Sequence, residues 1–232
     1  MKLGGDTYAM AYKAMNIKAC EKLELKERDW NGAFHGACFV FAIQLLMITF
    51  VFSVICGPKF TVAFPPNVYT LGARFVCTIL MHLQVESDTR QGISMLKYAV
   101  NHWDSFRNPK IAFSIGFMQL TGGIATEVCC MIYLASITNT IDTVIKFIAL
   151  GNIAKVDDFY AGALAGDYPL KGKVFMEIAN HRRDFSGEGS EQKRTCEQWV
   201  FRGIYKFFRM LYTCLMYYFM PFMTLFIPYI LS

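Results

Sequence analysis

Glu127 is the one formal charge in the run 111–137, IAFSIGFMQLTGGIATEVCCMIYLASI, and Gln119 precedes it by two helical turns. Gly116, Gly123 and Cys130 fall near the same helical face, so a small-and-polar stripe faces something other than lipid. Gln44, in the middle of the run 33–55, is the natural neighbour for that stripe on a second helix. An ionisable side chain within a membrane points to an ion pathway or a proton relay. The alternative is a packing role, with Glu127 within reach of the interface or paired with Lys146 or Arg74. One acid per subunit lines a pore only when subunits assemble around it.

Other chemistry finds little footing. There is no phosphate loop of the G-x-x-x-x-G-K-[ST] type, no G-x-S-x-G elbow and no H-E-x-x-H pair. Glu127, His82 and His102 do not form an acid–base constellation, so the chain reads as a non-enzyme. His35, His82, His102 and His181 lack ligand spacing, and the eight cysteines contain no C-x-x-C, so neither a metal site nor a cofactor is expected. Cys56 and Cys77 suit either a bonded pair or free thiols. Asp184, Ser186, Glu188 and Gly189 follow the start of a calcium-binding loop, but Thr195 stands where the bidentate glutamate belongs, which makes this a solvated loop.

The elements that must position these residues follow from composition. Of 232 residues, 54% are hydrophobic and 18% charged, more apolar than an ordinary soluble domain. The excess is gathered into three runs, 33–55, 111–137 and 210–231, the first long enough to cross a hydrocarbon core of about 30 Å. Pro221 and Pro228 are expected to kink the third. The expectation is an all-α integral membrane bundle with about three transmembrane helices.

Two further segments read as amphipathic. In 71–85, Leu71, Phe75, Ile79 and Leu83 mark one face while Arg74, Thr78 and His82 mark the other, and only a short uncharged stretch follows Arg74. In 141–156, Asp142, Lys146 and Lys155 interrupt a short apolar core. Both are expected to lie in an interface or against the bundle. The arm 1–32 interleaves Met10, Met15, Ile17, Leu23 and Leu25 with Lys13, Lys18 and Lys22, which predicts an amphipathic helix on the inner surface. It shows no cleavable signal.

Lysine and arginine set the expected orientation. Six precede 33–55, six lie in the connection 56–110, and most of the rest fall in the basic segment 138–209. With three spans, the arm and that segment share the cytoplasmic, or matrix-like, side. Arg202, Lys206 and Arg209 recur at i, i+4 and i+7 beside Trp199, Phe207 and Phe208, suited to anionic lipid headgroups or to an ordinary juxtamembrane anchor. This topology accounts for the net charge of +5, so no nucleic-acid partner is inferred.

Gly32 and Gly36 form a G-x-x-x-G at the membrane entry beside Trp30, and with Gly116 and Gly123 they are candidates for close helix packing. The strings ILMHLQVE, RQGISMLKYAVNH, IGFMQLTGG and FIALGNIAKVDDFYAGAL resemble multi-pass membrane proteins of ciliate-type protists, over about 71–164. That resemblance implies a membrane protein and carries no activity. The sequence therefore predicts a non-catalytic subunit of a membrane assembly, contacting lipids and either copies of itself or other membrane subunits. The alternative is a pore-forming or ion-conducting subunit with Glu127, Gln119 and Gln44 along the pathway.

Overall fold

The computed structural model describes residues 3–164 apart from 4, 59, 63 and 66, and residues 196–231 apart from 217–219. The solvated loop expected at 184–195 lies outside the described residues, as does 165–195 of the basic segment 138–209. The described helices are α1 (Thr7–Met15), α2 (Ile17–Leu23), α3 (Glu27–Ile55), α4 (Val68–Asn101), α5 (Pro109–Ala135), α6 (Thr140–Ala154), α7 (Val156–Ala163), α8 (Cys196–Leu211) and α9 (Met223–Leu231). No strand is present among the described residues. Asp6, Asn16, Asn67, Asn108 and Asn139 each cap a helix by accepting from a backbone N–H of its first turn.

Three helices, α3, α4 and α5, are long and apolar enough to cross a membrane. The chain is thus an all-α membrane bundle, with its spans placed differently from the sequence reading. The runs 33–55 and 111–137 fall on α3 and α5, as expected. The segment 71–85 is not an interfacial helix but part of the 34-residue α4. Arg74 interrupts its apolar run, yet the side chain turns inward, 1% exposed, and Nε donates to the Ile137 carbonyl at 2.8 Å. The charge that shortens the run in sequence is a helix-packing contact in the fold.

The run 210–231 is not one continuous helix. A π-helical turn (Tyr212–Met216), a 3₁₀ turn (Met220–Phe222) and the nine-residue α9 with Pro228 inside it divide it. Together with α8 it follows the groove between α4 and α5. The register runs from Phe201 beside Phe113 and Trp103, through Phe208 on Phe117, to Phe222 on Phe75 and Thr224 on Thr78. The path starts at the end of the bundle where α3 begins, here called proximal, and leads to the distal end.

α6 and α7 return in the opposite sense. Thr140 meets Thr70 at the distal end, Gln84 donates to the Gly151 carbonyl further along, and Tyr160 packs on Gly36 and Phe39 near the proximal end. The expected segment 141–156 is therefore packed on the bundle. Leu164 and Cys196, which flank residues 165–195, both lie toward the proximal end, since Leu164 shares a cavity with Gly32 and Glu197 pairs with Lys110.

The N-terminal arm departs most from expectation. Every residue of α1 is buried, and the helix sits against α3, α5 and α7 rather than on a surface. Ala9, Ala11 and Ala14 alternate with Tyr8, Met10, Tyr12 and Met15, so the helix is apolar all round apart from Thr7 and Lys13. Tyr12 donates to the Met95 carbonyl at 2.7 Å, and Asn16 and Phe106 form a backbone bridge that ties the arm to the α4–α5 connection.

α4 and α5 form the tightest pair. A Cβ on Gly92 would lie 2.9 Å from the backbone nitrogen of Leu120, and one on Gly116 would lie 3.0 Å from the Met95 Cβ. Gly92→Ala is expected to lower the thermal unfolding midpoint in nanodiscs, at a cost of about 1–3 kcal/mol. Gly72→Ala, where a Cβ meets nothing within 4 Å, should leave the midpoint unchanged. Equal midpoints for the two variants would remove close α4–α5 contact as a source of stability.

Candidate functional site

The site is built from polar side chains that five elements turn toward one another. Glu127 on α5 is 1% exposed and its Oε1 lies 2.5 Å from Nδ1 of His82 on α4, itself 6% exposed. The partner of Glu127 is thus neither Lys146 nor Arg74. Lys146 lies over the Tyr133 ring at 5.2 Å, and Arg74 is held by the Ile137 carbonyl. His82 is where it is because α4 is inside out relative to a soluble amphipathic helix. Arg74, Thr78 and His82 face the bundle, whereas Leu71, Val76, Leu80 and Leu83 are exposed.

Gln44 and Gln119 also lie inside, 6% and 2% exposed. Gln44 donates through Nε2 to Thr126 Oγ1 at 3.4 Å and accepts from the Tyr8 hydroxyl at 3.3 Å, so it stands beside the stripe of α5 as expected. A Cβ on Gly122 would fall 2.5 Å from Gln44 Oε1, which makes Gly122 the residue that admits this side chain. Gln119 accepts from Gln91 Nε2 at 3.4 Å, and Gln91 donates to Asp6 Oδ2 at 2.6 Å. The result is a polar spine. Its hydrogen-bonded pieces are Asp6–Gln91–Gln119, Tyr8–Gln44–Thr126 and Glu127–His82, with Thr78 and Arg74 further along the inward face of α4.

Below Glu127, Tyr8, Gln44, Val85, Asp88, Gln119, Gly123, Ala154 and Asp157 line a cavity that leaves about 10 Å³ for the centre of a water molecule. Burial pushes the Asp157 carboxyl up to about 8, with Asp6 and Asp88 adding to the effect. α7, which carries Asp157, is outside the three spanning helices. Asp6, Asp88 and Gln91 are not singled out by the sequence, whereas Asp157-Asp158, ahead of Phe159-Tyr160, reads there as a helix terminus at the membrane surface rather than a cation site. The pair does stand in the first turn of α7, but Asp157 turns into the bundle, 5% exposed.

The remaining candidates separate. Gly123 faces Thr89, with a Cβ position 3.0 Å from its Oγ1, and Gly36 faces the Tyr160 ring at 3.4 Å. Gly32 packs on nothing within 4 Å of a Cβ, so the G-x-x-x-G contributes one contact glycine. On α8, Lys206 and Arg209 are exposed and Arg202 is half-buried, its guanidinium 5.8 Å from the Trp199 ring centre. Cys56 and Cys77 are unbonded. Among the described residues, no group of three His, Cys, Asp or Glu side chains is placed to hold a metal ion.

Chemically, the spine satisfies polar groups that lipid cannot, and it presents one hydrogen-bonded acid–imidazole pair. His82→Ala should cost about 1–2 kcal/mol of stability by leaving the acid unpaired. In a double-mutant cycle with Glu127→Gln, followed by thermal unfolding in nanodiscs, the two losses should sum to more than the double variant loses. Additive losses would show that the contact contributes nothing. No protein-family model, no curated protein and no solved structure matches the chain.

Proposed function

We propose that the chain is a non-catalytic structural subunit of a larger membrane assembly. The observation that carries this reading is the placement of Glu127, which is buried inside its own subunit and bonded there to His82. A residue so placed fixes helix packing and is not presented to an axis shared between subunits. The outward surfaces are correspondingly apolar. Phe39, Leu46, Phe50 and Phe52 on α3, and Ile141, Ile145 and Ile148 on α6, are each more than half exposed. These faces suit lipid tails and the flanks of other membrane helices.

Orientation follows from the cations at the proximal end. Lys26, Arg28, Arg107 and Lys110 gather there, which favours that end for the cytoplasmic or matrix-like side. α8 carries Arg202, Lys206 and Arg209 beside exposed Trp199 and Phe207, and its role in this reading is contact with anionic headgroups. Replacing any one of the three by Gln should weaken retention of anionic lipid in detergent about fivefold, for about 1 kcal/mol per cation. Unchanged retention in the triple variant would leave α8 as an ordinary anchor.

The second reading, ion conduction, draws on the row of buried polar side chains from Asp6 to Arg74 within one subunit. One experiment separates the two: the mass and composition of the complex extracted into nanodiscs, followed by bilayer recordings of Glu127→Gln. A large assembly with other chains, and a Glu127→Gln variant that loses stability without any change in conductance, is the expected result. A small ring of identical copies whose conductance changes in the variant would overturn the structural reading in favour of conduction. A lone monomer without conductance would count against both.

A further inference from the structure

Three carboxyl groups converge on the cavity beneath Glu127 from three different elements. Asp88 of α4 and Asp157 of α7 line it, and Asp6, at the foot of α1, is close enough to act on both. Asp157 and Asp6 are 5% and 6% exposed. The ion pairs among the described residues are His82–Glu127, Arg90–Glu86 and Lys110–Glu197, and none of them involves these three acids. Asp6 has other partners, Ala9 N–H at 2.7 Å and the Gln91 amide at 2.6 Å, while Asp88 accepts from Ser87 Oγ at 3.3 Å.

A second observation points to an occupant. Gln119 is 2% exposed and lines the same cavity, and its amide nitrogen has no acceptor. A buried N–H left without an acceptor costs about 1–3 kcal/mol. A water molecule answers that need, and the cavity has room for about one. Its oxygen would accept from Gln119, leaving its two hydrogens for oxygens at the cavity wall, where the Asp88 and Asp157 carboxyls and Gln44 Oε1 stand.

We propose that this cavity is a binding site for one proton, held together with one water molecule between the carboxyl groups of Asp88 and Asp157. Two carboxylates facing one poorly solvated space cannot both stay ionised at low cost, and protonating one removes the repulsion. The proton comes from solvent, one carboxylate becomes a carboxylic acid, and the water links it to the carboxylate that remains. Asp6 and Tyr8 face the site from the arm and α1, and Gln44 from α3. Asp88 belongs to α4, Gln119 to α5, and Asp158 and Lys155 flank Asp157 on its own side. Lys155 favours the charged form of Asp158, and Asp6 opposes it.

The site also joins the arm to the bundle. Asp6 caps α1 and Asp157 begins α7, and the Thr7 hydroxyl donates to the Asp157 carbonyl at 2.7 Å. A proton at the cavity therefore favours the docked arm. The sign follows from Asp157, whose ordinary value is 3.8 and whose folded value is about 8. The folded protein keeps a proton that the unfolded chain releases, so the associated stability is complete below the lower value and is lost as pH rises through the higher one.

The test is infrared titration of the full chain in nanodiscs, from mildly acidic to alkaline pH, with helix content followed by circular dichroism. A protonated-carboxyl band is expected at neutral pH. It should bleach as pH rises through about 8, disappear in Asp157→Asn, bleach at lower pH in Asp88→Asn, and persist in Glu127→Gln. Should Asp157→Asn fail to fold, Asp157→Glu should keep the band at a shifted frequency. Absence of the band in a folded sample, or its loss in Glu127→Gln alone, would overturn the proposal. Bleaching by sodium at constant pH would also overturn it, assigning the cavity to that cation instead. These outcomes do not depend on whether the chain is an assembly subunit or a conductor.

Discussion

The approach of α4 to α5 governs the rest of the molecule. Gly92 against Leu120, Gly116 against Met95 and Gly123 against Thr89 let the two backbones lie close. At that separation His82 reaches Glu127 and Gln91 reaches Gln119. In hydrocarbon, helices gain little from burying apolar surface against one another, so contact is decided by small residues, dispersion and hydrogen bonds that lipid cannot replace. The pair supplies all three. Once it is set, α6 lies along α4, the C-terminal path occupies the other groove, and α1 fills the space bounded by α3, α5 and α7.

The broken passages follow from the same solvent. A backbone exposed to lipid must satisfy its own hydrogen bonds, whereas one packed on protein tolerates irregularity. The junction of α6 and α7, the π turn at Tyr212–Met216 and the 3₁₀ turn at Met220–Phe222 all occur in segments laid against α4, α5 or α3. Thr224 is 1% exposed, and its hydroxyl oxygen accepts from Thr78 at 3.1 Å. These segments wrap a preformed pair and need not be straight.

Much of the architecture was legible in the sequence, and the misreadings share one cause. The runs in α3 and α5 were legible because their charges are sparse, and the stripe of Gln119, Gly123 and Glu127 was legible from spacing alone. α4 was misread because Arg74 was counted as a charge seeking water, while the fold satisfies it with the Ile137 carbonyl. Its polar face was visible as Arg74, Thr78 and His82, but a period says which residues share a side and not which side is wet. α1 was misread for a related reason. Lys13, Lys18 and Lys22 suggested a surface, whereas Thr7–Met15 is nearly all alanine, tyrosine and methionine. The convergence of Asp6, Asp88 and Asp157 was not legible because they come from elements far apart in sequence, so that Asp157-Asp158 read only as a helix terminus.

The burial of α1 has a consequence for how the molecule is made. Synthesis delivers this helix before any of the surfaces that enclose it, since α3, α5 and α7 all come later in the chain. It emerges with nowhere to go. Its tyrosines and methionines find their native burial only once α3, α5 and α7 are in place. Among the described helices, α1 is thus made well before the neighbours that bury it, and its docking depends on all three of them.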